Sequence, residues 1–167
     1  MRCTSRVPSA SARSASASAT VVRQLLERPK DAGEDLLAYQ TEDGEWRDVT
    51  SAEINAFLKE ISGAEITAKD FRTWTATVLM AAALAEAPPP ASRTARKKVI
   101  SAAYKQVSEQ LGNTPAVCKA SYVDPRVVDR FENGETVAHV LREADEAEAD
   151  RDTQKVLEAA VCQLLSA

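Results

Sequence analysis

A tyrosine, an arginine and a carboxamide stand at spacings that suit phosphoryl transfer. Tyr122 lies nine residues after Asn113, in the segment Leu111-Gly-Asn-Thr-Pro-Ala-Val-Cys-Lys-Ala-Ser-Tyr122. Arg72 lies upstream, in Lys69-Asp-Phe-Arg-Thr-Trp74. Attack of a phenol on a phosphodiester needs three services. The phenol, with an ordinary pKa near 10, must lose its proton. The non-bridging oxygens gain charge and need fixed donors. The leaving oxygen needs a proton. Tyr122 is the candidate nucleophile. Arg72 presents a permanently charged, planar fork of donors for the oxygens, and the Asn113 amide can donate to the same atoms. Nothing obvious in the chain supplies the leaving-group proton. Lys119 reads as a solvated or phosphate-touching charge, and His139, the one histidine, reads as structural. Spacing alone also fits plainer roles: a surface arginine, a packed tyrosine, a core Trp74, and Asn113 after Gly112 as a helix C-cap signal.

These residues need helices to hold them. Thr67-Ala-Lys-Asp70 is an N-cap pattern for a helix running to about Glu86, and Pro88-Pro-Pro90 blocks its continuation. A third long helix is expected from about Ser92 to Leu111. Val99, Ile100, Ala103, Val107 and Leu111 form its apolar stripe, with Arg93, Arg96, Lys97, Lys98 and Lys105 mostly off it. Thr114-Pro115 and Asp124-Pro125 each place a cap before a proline at the first helical position. Asn133-Gly134 ends the second of these helices. Two more follow, at roughly 136–143 and 152–165, joined by an acidic stretch over 144–150.

Upstream, 36–40 and 46–49 can pair across the Asp43-Gly44 turn. Thr50-Ser-Ala-Glu53 is a capping box, opening a helix with Ile54, Phe57, Leu58 and Ile61 on one face and Gly63 at its end. A short helix is expected over Thr20–Glu27. Residues 1–19 are Ser/Ala/Arg low complexity without acids and are expected to be disordered; an organelle transit peptide is the minor alternative. The expected fold is mainly α: a multi-helix domain over 20–167, with at most a small β-hairpin, behind a disordered N-terminus.

The chain has 167 residues, which suits one domain, and 44% are hydrophobic, enough for a modest core. No apolar run reaches the roughly 18–20 residues that cross a bilayer, so no membrane partner is expected. Cys3, Cys118 and Cys162 are scattered and odd in number, which argues against a zinc site and for free thiols in a reducing cytoplasm. The net charge is −4, yet residues 65–130 hold ten basic and six acidic residues, a net of +4. A local basic block is what draws in a phosphate backbone. Residues 131–167 hold three basic and nine acidic residues, a net of −6.

Three ordered blocks carry a family resemblance: Asp43-Gly-Glu-Trp-Arg-Asp-Val-Thr-Ser-Ala-Glu-Ile-Asn-Ala-Phe-Leu58, Thr67-Ala-Lys-Asp-Phe-Arg-Thr-Trp74, and Leu111 to Val123. They resemble the catalytic domain of bacterial and poxvirus-type type IB DNA topoisomerases, closely over about 36–132. Tyrosine recombinases share the arginine and the nine-residue step to the tyrosine. They usually carry a His-x-x-Arg box, where this chain has Lys69-Asp-Phe-Arg72.

The resemblance implies that Tyr122 attacks DNA and forms a 3′-phosphotyrosyl bond, and that the strand is later resealed without metal, ATP or other cofactor. It gives Arg72 the place of the second catalytic arginine, and Asn113 the place where many members have histidine. Lys69, Lys97, Lys98 and Lys119 are expected to contact DNA. Double-stranded DNA is the expected partner of a monomer in the cytoplasm, associated with the nucleoid. The family's first catalytic arginine, its hairpin lysine and its N-terminal clamp domain lie upstream of the part matched by residue 36, so the chain is expected to be N-terminally truncated. The alternatives are a catalytically inactive DNA-binding remnant, a recombinase-like strand transferase and a helical interaction domain.

Overall fold

A computed structural model of the chain describes Val22, Arg23, Leu26 and Glu27, residues 37–146 and residues 152–166. The stretch expected to be disordered, 1–19, lies outside the described residues. So does most of the short helix expected over Thr20–Glu27, of which Val22, Arg23 and Leu26 are helical. The described residues gather into two compact units, one ending at Ala68 and the other beginning at Lys69.

The first unit holds the hairpin. Strand β1 (Ala38–Gln40) pairs antiparallel with β2 (Trp46–Asp48), with Tyr39 opposite Arg47. Gly44 takes φ +83°, which side chains disfavour, and this lets the connection close. The Gln40 side chain donates to the Gly44 carbonyl at 2.9 Å and fixes that turn. Helix α1 (Ser51–Ser62) opens with the expected capping box: Glu53 N–H donates to Thr50 Oγ1, and Thr50 N–H donates to the Glu53 carboxylate at 2.7 Å. Gly63 ends it in the left-handed conformation. Its apolar face is not buried. Ile54 and Leu58 are half-covered, while Phe57 is 59% and Ile61 63% exposed. Amphipathic spacing shows which side could be buried, and the two three-residue strands and one helix described here offer that side little cover.

The second unit is all helix: α2 (Ala68–Glu86), α3 (Arg93–Leu111), α4 (Pro115–Ser121), α5 (Pro125–Glu132), α6 (Ala138–Glu146) and α7 (Asp152–Ser166). Helix α2 is its axis. From Ala76 to Leu84 every residue but Leu79 is buried, so the helix is covered on all sides. Around it lie Val107 of α3, Cys118 of α4, Val127 and Phe131 of α5, Val137, and Val161 of α7. The expected α3 stripe is present but wider. Tyr104 and Ser108 are buried beside Ala103 and Val107, and the Ser108 hydroxyl is satisfied by the Lys105 carbonyl at 2.8 Å.

The chain is therefore a mainly-α, multi-helix protein, with one small hairpin among the described residues. The caps read at Thr114 and Asp124 are present, and Ser92, expected as the start of α3, is its N-cap. Because α2 is the axis of the second unit, truncating its fully buried Met80 is expected to be expensive. Met80→Ala should destabilise the protein by about 2–5 kcal/mol, read from urea unfolding followed by circular dichroism.

Candidate active site

Arg72, Asn113 and Tyr122 all belong to the second unit. Arg72 leaves α2 in its second turn and reaches both ends of the segment Leu111–Tyr122. One guanidinium nitrogen, Nη2, donates to the Leu111 carbonyl. The guanidinium carbon lies 5.1 Å from the centroid of the Tyr122 ring, within cation–π range.

The Leu111 carbonyl is available for a local reason. The last carbonyls of a helix have no partner within it. Gly112, at φ +65°, turns the chain out of α3, and both its N–H and that of Asn113 (2.9 Å) close back on the Ser108 carbonyl. Leu111 is left to accept from Arg72. At the other end, Tyr122 is the C-cap of α4. Its N–H donates to the Cys118 carbonyl at 3.1 Å and its ring is half-buried against the core.

Two donors at this place are unused. Arg72 Nε and the Asn113 side-chain nitrogen are buried and have no hydrogen-bond partner. Leaving such a donor unpaired costs about 1–3 kcal/mol. The first lies on the arginine that holds the Leu111 carbonyl, and the second lies two residues beyond that carbonyl in sequence. A third unpaired buried donor is Arg96 Nε on α3. Sequence reading counted Arg96 only as part of a basic run; its burial depends on packing that spacing does not encode.

The surrounding groups are held in defined protonation states. Cys118, one turn before Tyr122 on α4, is fully buried. Burial pushes its thiol up, and the positive charge of Arg72 offsets this in part. Burial also raises the Tyr104 phenol, with Asp129 and Cys118 adding to the effect. Asp124, the N-cap of α5, is lowered chiefly by its hydrogen bonds from Arg126, at 2.7 Å to Oδ2 and 3.1 Å to Oδ1. The same arginine donates to the Leu165 carbonyl at 3.1 Å and so ties α7 to the start of α5.

Of the lysines expected at DNA, Lys97 and Lys119 are brought together. They flank an open cleft of about 480 Å³ between α3, α4 and α5, with Tyr104, Ile100 and Val128 in its wall and Glu132 at its edge. Lys98 and Lys69 are exposed but line no part of that cleft. His139 is exposed as well. Among the described residues, no three His, Cys, Asp or Glu side chains gather into a set that could hold a metal ion, and no helix is long and apolar enough to cross a membrane.

Comparison with known proteins points in one direction. Residues 10–149 match the model of the eukaryotic DNA topoisomerase I catalytic core. Over 88 residues the chain is 35% identical to DNA topoisomerase 1B of Acanthamoeba polyphaga mimivirus, a match covering 51% of this chain and 26% of the relative. The chain thus spans about a quarter of the length of that relative.

Two tests follow from the electrostatics. The buried, protonated Cys118 should resist alkylation at pH 8 while the exposed Cys162 reacts, as peptide mass spectrometry would show; urea should abolish the difference. Asp124 is lowered in the folded state, so its contribution to stability is present above its unfolded pKa and is lost as pH falls through about 4 and below. Asp124→Asn keeps a capping oxygen but removes the titrating charge. The variant should therefore show a shallower loss of stability than the parent between about pH 5 and pH 2, measured by urea melts.

Proposed function

The chain belongs to the eukaryotic DNA topoisomerase I catalytic-core family, and on that premise we propose that Tyr122 is its DNA-cleaving nucleophile, of type IB. The observation that carries this reading is Arg72, which holds the Leu111 carbonyl, overlies the Tyr122 ring and keeps an unpartnered Nε; Asn113, two residues after Leu111, has an unpartnered side-chain nitrogen of its own. The Tyr122 phenol releases its proton to solvent water as its oxygen attacks the phosphorus of one strand of duplex DNA. The bond from phosphorus to the 5′ oxygen breaks, and the 3′ phosphate stays on the tyrosine. The leaving 5′ hydroxyl takes up a proton from outside this trio. Arg72 and Asn113 donate to the non-bridging oxygens as charge builds on them. The reverse attack by the 5′ hydroxyl reseals the strand, so superhelical tension drives relaxation without ATP. Lys97 and Lys119, flanking one cleft, contact flanking phosphates of DNA bound by a monomer.

One feature favours a second reading, that of a chain which binds DNA but does not turn over by itself. None of Arg72, Asn113 and Tyr122 gives the leaving oxygen its proton, and lack of a general acid lowers a rate by roughly 10²–10⁴.

The test is relaxation of supercoiled plasmid in the presence of a chelator. The parent chain should relax it, and Arg72→Ala should be slower by on the order of 10²–10³. Tyr122→Phe should have no activity; relaxation that survives this change contradicts the assignment. Salt-sensitive binding with no relaxation at enzyme excess would support the second reading instead. Binding of duplex DNA should weaken with salt, and replacing both Lys97 and Lys119 by alanine should reduce the log–log salt slope by roughly two.

A further inference from the structure

Thr77 is an unusual residue in the core. Its side chain is polar and only 2% exposed, among the alanines and valines of α2. Its hydroxyl is used twice. It donates to the Thr73 carbonyl, one turn back, at 2.8 Å. It also accepts, at 3.1 Å, from the backbone N–H of Asp124, forty-seven residues away. Asp124 caps α5 and lies two residues after Tyr122. As an N-cap its own N–H has no partner within the helix, so Thr77 supplies the acceptor that a buried amide needs.

The consequence is a second tether. Arg72 and Thr77 lie five residues apart on one rigid helix. Arg72 holds the start of the nucleophile segment through the Leu111 carbonyl. Thr77 holds the chain just beyond its end, at Asp124. Between the two attachments lie Asn113, α4 and Tyr122. We propose that Thr77 is a positioning residue: through the Asp124 amide it sets the register of Tyr122 against Arg72. It touches neither substrate nor the reacting atoms. The proposal rests on the reading of Tyr122 as nucleophile for its kinetic consequence, and on geometry alone for its structural one.

The experiment uses the full chain in three forms: parent, Thr77→Val and Thr77→Ser. Valine keeps the volume and removes the acceptor; serine keeps the acceptor. The chain has three tyrosines, Tyr39, Tyr104 and Tyr122, so their ring resonances can be assigned with Tyr122→Phe. In Thr77→Val the Tyr122 ring signals should move toward those of free tyrosine and the Arg72 Nε–H should exchange faster, with Tyr39 and Tyr104 unmoved. Thr77→Ser should restore the parent spectrum. In single-turnover cleavage of nicked duplex, Thr77→Val should form the covalent complex roughly 10–100-fold more slowly, with DNA affinity unchanged, and Thr77→Ser should recover the rate.

A folded Thr77→Val with parental Tyr122 and Arg72 signals overturns the proposal, as does a Thr77→Ser chain that behaves like the valine variant. If the parent forms no covalent complex, the nucleophile reading fails and the resonances alone decide the positioning claim. If Thr77→Val does not fold, amide exchange in the parent decides it. The Asp124 N–H must be protected; exchange at the rate of free peptide rules the tether out.

Discussion

The guanidinium of Arg72 is the interaction on which the site depends. It is anchored on the central helix of the second unit, and it completes a carbonyl that the end of α3 leaves open. It also lies over the ring of the tyrosine that ends α4. A charged group in this half-buried position loses hydration, and only part of that loss is recovered by one carbonyl and one aromatic face. Its Nε stays unpaired. In the proposed reaction a phosphate oxygen would be the partner this donor lacks.

The helices around this group are arranged by simple means. From Ala76 to Leu84, Leu79 apart, α2 is buried and forms the middle of the core. Short helices opening on Thr114-Pro115 and Asp124-Pro125 let the chain reverse quickly, which brings Tyr122 back against α2 within eleven residues of the end of α3. Capping hydroxyls and carboxylates satisfy the helix starts, and Gly112 allows the turn that no other residue type takes readily. Arg126 then ties α7 to the same region through Leu165. The segment from Leu111 to Tyr122 is thus held through backbone groups at several points, as the proposed attack of Tyr122 on phosphorus would require.

Much of this was legible in the sequence where the signal is local. The capping box at Thr50, the turn at Asp43-Gly44, the glycine after Leu111 and the two cap-proline pairs each state a demand of the backbone, and each appears where it was read. The trio of Arg72, Asn113 and Tyr122 was singled out through family resemblance, since spacing alone gave each an ordinary alternative, and its roles remain a proposal. What was not legible depends on contacts between distant residues. The bond from Arg72 to Leu111 spans thirty-nine residues and that from Asp124 to Thr77 spans forty-seven. A threonine in an alanine-rich helix carries no mark of such a role. The exposed Phe57 and Ile61 show the converse: periodicity identifies a face, not its cover.

The central claim is that Tyr122 becomes covalently joined to DNA. It is tested most directly by trapping the chain on a nicked duplex, digesting with trypsin and nuclease, and sequencing the modified peptide by mass spectrometry. Cleavage after Lys119 and Arg126 isolates Tyr122 on a peptide of residues 120–126. A nucleotide joined through its 3′ phosphate to Tyr122 is the expected product. A nucleotide found on Tyr39, on Tyr104 or on any serine, with Tyr122 unmodified, would contradict it.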